Sequence, residues 1–167
     1  IAAEIEIPDI EGYRTLKCDF HIHTIFSDGN VWPNIRVHEA KREGLDVIAI
    51  TDHLTHSLLW KSGIVEKDSA DFNLSSQLAR KSAEGHGITI IQGAEITREM
   101  PPGHLNALFL QDANQLDPRE NPDWKTALQK AHGQGAFVFW NHPSSHRRGP
   151  DGRALWYDEH SEIYEKG

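Results

Sequence analysis

The sequence predicts an α/β fold organised around a barrel-like parallel sheet. Two observations carry that prediction: short apolar runs alternate with longer amphipathic stretches, and histidines and carboxylates gather at the ends of those runs. A run followed by a helix and then another run reads as strand, crossover helix and parallel strand, with the helices covering the outside of the sheet. In parallel α/β folds the carboxyl edge of the strands is where ligands bind.

The elements follow in order. Residues 1–14 are an acidic lead-in containing Pro and Gly, and residues 15–23 supply strand one. Residues 34–42 predict a helix, with Pro33 before it and Gly44 after it in the positions that favour helix start and stop. Residues 45–50 form the second strand. Residues 54–73 mix apolar and charged side chains without a clean period and read as a long loop with one short helix, a natural lid over a site. Residues 75–84 are the next helix, ended by Gly85 or Gly87, and residues 89–92 the third strand. Residues 105–110 are a further strand, 112–122 a polar connection containing Pro, 123–132 a helix closed by Gly133, and 136–140 the last strand.

Composition fits one soluble domain over residues 15–167, since 38% hydrophobic and 25% charged residues in a 167-residue chain suffice for a substantial core. No run approaches the roughly 18 apolar residues of a membrane span, and no signal-peptide pattern is present. Ile1 in place of Met suggests removal of something upstream, so both a cytoplasmic and an exported location stay open. Oligomeric state is not readable from the sequence. Cys18 is the only cysteine. It leaves no internal disulfide or thiolate cluster, and its place in strand one predicts a small buried thiol. The formal charge of −8 argues against stable non-specific nucleic-acid binding, which rests on neutralising phosphates with Lys and Arg. It does not exclude a nuclease site, because bound divalent ions would add roughly four to six positive charges locally.

The chemistry lies in the clusters. A strand places residues i and i+2 on one face, so His21 and His23 can offer two imidazole nitrogens to one ion. Asp28 adds a hard oxygen ligand nearby, and His53 follows a second strand in Thr51-Asp52-His53. Glu95 in Gly93-Ala94-Glu95 follows the third run, Gly103-His104 precedes the fourth, and Asn141-His142-Pro143 ends the fifth. Such a concentration of ligands is expected of a metal-dependent hydrolase.

In order and spacing, His-x-His-Thr-x-x-Ser-Asp-Gly at 21–29, Thr-Asp-His at 51–53, Gly-x-Glu at 93–95, Gly-His-Leu at 103–105 and His-Pro at 142–143 resemble the polymerase and histidinol phosphatase (PHP) family of metal-dependent phosphoesterases. The resemblance implies a distorted (β/α)7 TIM-like barrel and two or three divalent ions. By matching positions, His21 and His23 would bind one ion, Glu95 would bridge it to a second held by His104 and His142, and Asp28 with His53 would hold a third. Mixed His and carboxylate ligation suits zinc, manganese or iron alike. Metal-activated water would then attack phosphorus in a small phosphomonoester or a nucleotide-derived phosphoester.

Around these ligands, Asp52 and Asn141 lie on the opposite strand phase and are assigned to orienting imidazoles. Glu95, Asp28 and Asp52 are the residues expected to carry catalysis. Arg147 and Arg148 are candidates to clamp a substrate phosphate, against the alternative of a solvated basic turn that His146 shares. His56 is close enough to His53 to line the pocket, whereas His38, His86 and His132 read as structural or surface residues. Trp32 and Trp60 flank the ligand loops, as an apolar wall or as exposed packing.

A complete barrel of this kind needs well over about 200 residues. The family's closing Asp-x-His is matched only by Asp158-Glu159-His160, which no apolar strand precedes. The sequence therefore reads as an incomplete barrel, the front of a longer protein that supplies the closing ligands beyond Gly167. An amidohydrolase-like metal hydrolase and a non-catalytic metal-binding PHP module are the alternatives. Retention of Asp28 and Glu95 favours activity, because a structural site needs only four ligands.

Overall fold

The computed structural model describes residues 7–98 and 102–142. Five strands form one sheet in sequence order: β1 (Cys18–Ile22), β2 (Val47–Ile50), β3 (Thr89–Ile96), β4 (Leu105–Leu108) and β5 (Phe137–Trp140). The sheet curls into a half-barrel with helices packed outside it. The expected α/β architecture is present, but the sheet is mixed. β1, β2 and β3 are parallel, whereas β4 is antiparallel to both β3 and β5. The uniformly parallel sheet is thus corrected, and the cause is the link from β3 to β4: residues 97–104 are too few for the crossover of a dozen or more that a parallel pair needs.

Helix α1 (Pro33–Glu43) starts on Pro33 and buries Pro33, Val37 and Ala40 along one stripe. It stops at Gly44, whose left-handed backbone returns its N–H to the carbonyls of Ala40 and Lys41. The short α2 (Leu58–Lys61) and one turn of 3-10 helix at Lys67–Ser69 interrupt the long loop. Helix α3 (Leu74–Ala83) buries only Ser75, Ser76, Ala79 and Ala83, small side chains that let it lie close to its neighbours. Helix α4 (Trp124–Gly133) is capped by Asp123, whose carboxylate accepts from the Thr126 amide at 3.0 Å.

Strand β2 is buried throughout, as befits a parallel strand covered on both faces. Its Ile48 and Ile50 pack with Ile90 against α1 and α3, each such side chain contributing roughly 1.5–3 kcal/mol by burial. Ala94, Ile96, Leu105 and Ala107 pack beneath α4, and Val47, Ala49, Ile91 and Leu108 line the inner face. Strand β3 runs on past Gln92 to Ile96, so Glu95 lies within the strand, and β4 ends at Leu108 because Phe109 turns into the left-handed region at φ 64°.

Cys18 is exposed, against the buried thiol expected of it. It stands on β1, which pairs only with β2 among the described strands, and the β1 pattern is exposed over its first residues. Among the described residues, no helix is long and apolar enough to cross a membrane.

Candidate metal centre

Antiparallel β4 explains how His104 joins the other ligands. Ile96 at the end of β3 pairs with Leu105 at the start of β4, so the residue before β4 arrives at the rim where β1, β2, β3 and β5 end. On β1, a register shift between Asp19 and Ile22 marks a bulge beside His21, whose amide is held by the Asp19 carboxylate at 3.1 Å. His21 and His23 both turn inward, their Nε2 atoms 2.9 Å apart.

Glu95 is fully buried at the centre. Its Oε2 lies 3.2 Å from His21 Nε2, 2.9 Å from His23 Nε2 and 3.3 Å from His53 Nδ1. Its Oε1 lies 2.7 Å from His104 Nδ1 and 3.4 Å from His142 Nε2. The two oxygens thus face different histidine groups. Asp28, half-exposed at the mouth, places Oδ1 3.1 Å from His23 Nδ1 and Oδ2 3.6 Å from His53 Nε2. His56 stacks obliquely on His53 with ring centres 4.3 Å apart, beside Asp28.

Hydrogen bonds assign the tautomers. The Thr97 hydroxyl donates to the Glu95 carbonyl, so at 2.6 Å its oxygen accepts from His53 Nδ1 and leaves the Nε2 lone pair turned toward Asp28. The Ser27 hydroxyl donates to Asp52 at 2.6 Å and can accept from His23 Nδ1 at 3.2 Å, so without metal His23 Nε2–H donates to Glu95, and it is the neutral, Nδ1-protonated ring that offers an Nε2 lone pair to a cation. Burial pushes the Glu95 carboxyl up, but hydrogen bonds from His104, His21 and His23, with His53 alongside, outweigh it and hold Glu95 far below the usual carboxylate range. Burial also brings His53 down to about 4, helped by His23 and His56 against the pull of Glu95 and Asp28. At His23 burial lowers the pKa, yet hydrogen bonding and charge from Glu95, then Asp28 and Asp52, raise it overall.

This donor set fits divalent cations. Ligands about 2.0–2.1 Å from one ion sit roughly 3.0–3.4 Å from one another, which matches the spacing of His21, His23 and Glu95. One ligand atom from each residue of the groups His21–His23–Glu95, His23–Asp28–His53 and His53–Glu95–His104 lies within 4.8 Å of the others.

Asp52 does not touch an imidazole. Its buried carboxylate accepts from the Thr24 amide at 2.6 Å, the Thr24 hydroxyl at 2.7 Å and the Ser27 hydroxyl, so it holds the loop that carries Asp28 and reaches His23 only through Ser27. Asn141 donates to Glu95 Oε1 at 3.0 Å, rather than to an imidazole. Arg36 on α1 anchors the same loop from outside by donating to the His23 carbonyl at 2.9 Å.

Thr97 and the buried Asn106 were missed by the sequence reading. The available signal for Asn106 was a lone amide inside an apolar strand. Trp32 is exposed and meets Phe26 edge-on. Trp60 packs edge-on with Phe72, and both line a cavity of about 80 Å³ whose wall also includes Asp52 and His53. His38 and His132 are exposed and His86 half-buried, all apart from the centre. Arg147, Arg148, His146, Asp158 and His160 lie outside the described residues.

Gly29 closes the loop by donating its amide to the Thr24 carbonyl. A Cβ there would meet the His23 carbonyl oxygen at 2.5 Å and the Thr24 amide nitrogen at 2.7 Å, both backbone. Gly29→Ala is therefore expected to cost roughly 1–3 kcal/mol of stability and to weaken metal binding through Asp28. Thermal melting with and without Mn²⁺ checks this, and an Ala variant as stable and as metal-responsive as the parent would contradict the packing described.

The PHP domain profile matches residues 19–147. The chain belongs to the PHP domain family. This PHP domain is 29% identical over 144 residues to an uncharacterized protein of Methanocaldococcus jannaschii, covering 78% of the chain and 69% of that protein. It is 32% identical over 123 residues to a 5'-3' exoribonuclease of Haemophilus influenzae, covering 74% of the chain and 43% of the relative. A crystal structure from Bacteroides vulgatus, of a two-domain protein containing a predicted PHP-like metal-dependent phosphoesterase, superposes with a TM-score of 0.81 at 48% identity over 98% of the chain. The chain spans 45% of that two-domain protein.

Proposed function

We propose that this PHP domain is a metal-dependent phosphoesterase that hydrolyses a small phosphomonoester or a nucleotide-derived phosphoester using two or three ions of zinc, manganese or iron. The observation that carries the reading is the division of Glu95: Oε2 faces His21 and His23 while Oε1 faces His104 and His142. A carboxylate so placed suits two adjacent cations, with Asp28 and His53 disposed toward a third. Bound divalent ions supply Lewis-acid polarisation of the phosphoryl group and activation of water.

The protein's own residues do the rest. Thr97 and Ser27 fix the tautomers of His53 and His23 so that a lone pair of each points inward. Asp28, at the solvent mouth between His23 and His53, is placed to accept a proton from water at a carboxylate oxygen. Arg147 and Arg148 are proposed to clamp the substrate phosphate.

The test is a metal-depleted preparation reconstituted with Mn²⁺, Zn²⁺ or Fe²⁺ and offered phosphomonoesters, phosphodiesters and a short 5'-phosphorylated oligoribonucleotide. Metal-dependent phosphoester cleavage supports the reading. Metal binding without cleavage of any of these, or cleavage of amides in their place, contradicts it.

Metal loading should also release protons. Ligating imidazoles must be neutral, and the raised pKa of His23 means that the metal-free site binds a proton more tightly there than a free imidazole does, near pH 6.5. Affinity should therefore already be falling as pH drops toward the free-imidazole range. Calorimetry in buffers of different ionisation enthalpy at pH 6.5 should show net proton release with each Mn²⁺ bound, and binding without proton exchange would count against His23 as a ligand.

A further inference from the structure

A line of buried polar side chains crosses the inside of the curled sheet. Asn106 on β4 is 0% exposed and Asn141, just past β5, is 3% exposed. Asn141 Nδ2 donates to Glu95 Oε1 at 3.0 Å and to Asn106 Oδ1 at 2.8 Å, and Asn106 Nδ2 donates to the Phe20 carbonyl of β1 at 3.3 Å. Chemistry settles the Asn141 orientation: turned over, its Oδ1 would face two acceptors. Both Nδ2 hydrogens are thereby used, and Asn141 Oδ1 has no partner among the described residues.

Strands β1 and β4 are not neighbours in the sheet, since β2 and β3 lie between them. The Asn106–Phe20 bond is thus a tie across the barrel interior. Each end of the line adjoins a metal-ligand candidate: Phe20 precedes His21, Asn141 precedes His142, and Asn106 stands two residues beyond His104. An apolar side chain at 106 would fill the interior without the desolvation cost of an amide. The amide instead sets positions that packing alone leaves loose.

We propose that Asn106 is a positioning residue for the metal pair, fixing Glu95 Oε1 through Asn141 and the distance of His21 from Glu95 through the Phe20 carbonyl. This rests on the reading of Glu95 as a carboxylate shared by two ions. Asn106→Leu keeps the branched outline of the side chain and removes both bonds, leaving one Asn141 hydrogen without its Asn106 acceptor. Loss of such a supporting contact costs about 10- to 100-fold in metal affinity.

The experiment uses the full-length protein, metal-depleted and titrated with Mn²⁺ alone under electron paramagnetic resonance. Melting of the metal-free protein serves as the folding control, and hydrolysis of bis(p-nitrophenyl) phosphate reports kcat and KM separately. The parent protein should show a spin-coupled Mn²⁺ pair. Folded Asn106→Leu should bind Mn²⁺ about 10- to 100-fold more weakly, lose the coupled signal, and lose kcat with KM little changed. Asn106→Ser, whose hydroxyl can still accept from Asn141, should keep more of each property and serves if the Leu variant does not fold. A folded variant with parental affinity and coupled signal overturns the proposal. So does the loss of fold in both variants, which would make Asn106 a structural core residue. A parent protein that binds no Mn²⁺ pair overturns the metal reading itself, and a coupled pair unaffected by Asn106 overturns only this inference.

Discussion

Replacing Glu95 by Gln is expected to lower phosphoester turnover at least about 100-fold, equivalent to about 2.7 kcal/mol of barrier, and to strip the protein of its paired ions. The fold should survive. Gln has the same shape, and its Oε1 can go on accepting from His104 and Asn141 while its amide nitrogen faces the rings of His21 and His23, which can accept in one tautomer. What Gln cannot supply is the negative charge on both oxygens that two cations require. Metal content by mass spectrometry and kcat/KM on the best substrate, measured with a thermal melt, separate these effects. Native turnover with native metal content would remove Glu95 from the mechanism.

Replacing Asp52 by Ala is expected to act chiefly on stability. Three buried donors, the Thr24 amide and the Thr24 and Ser27 hydroxyls, converge on its carboxylate. Leaving buried donors unpaired costs about 1–3 kcal/mol each. Hydroxyls can rotate to other acceptors, so a total of about 3 kcal/mol is expected, or roughly 6–12 °C in Tm at 2–4 °C per kcal/mol. The loop bearing Asp28 should loosen with it, weakening metal binding as well. Asp52→Asn, which keeps one acceptor oxygen, should lose about half as much stability. Equal and small losses in both variants would show that the loop is held by other contacts, such as Arg36 on the His23 carbonyl.

The clusters at strand ends were readable because histidines and carboxylates are conspicuous against apolar runs, and α1 was readable because Pro33 and Gly44 punctuate it. The direction of β4 was not read, since an apolar run carries no direction. The signal lay in the connection, where residues 97–104 leave no room for a crossover helix. Strand phase placed Asp52 and Asn141 as orienters of imidazoles, whereas Asp52 holds Thr24 and Ser27 and Asn141 donates to Glu95, partners set by the loop at residues 24–29 and the curl of the sheet, neither of which a local pattern encodes. Asn106 escaped for the same reason, as its partners lie on β1 and beyond β5, remote in sequence. Cys18 was misjudged because burial of a strand depends on what covers it, and β1 is paired on one side only among the described strands.

Glu95 is proposed to sit between divalent ions held by the surrounding histidines. Anomalous diffraction at the manganese edge from crystals of the Mn²⁺-loaded protein tests it most directly. One anomalous peak is expected within about 2.0–2.3 Å of the His21 and His23 nitrogens and Glu95 Oε2, and a second beside Glu95 Oε1 facing His104 and His142. Peaks confined to other parts of the surface, with the Glu95 carboxylate still hydrogen-bonded only to protein, would contradict it.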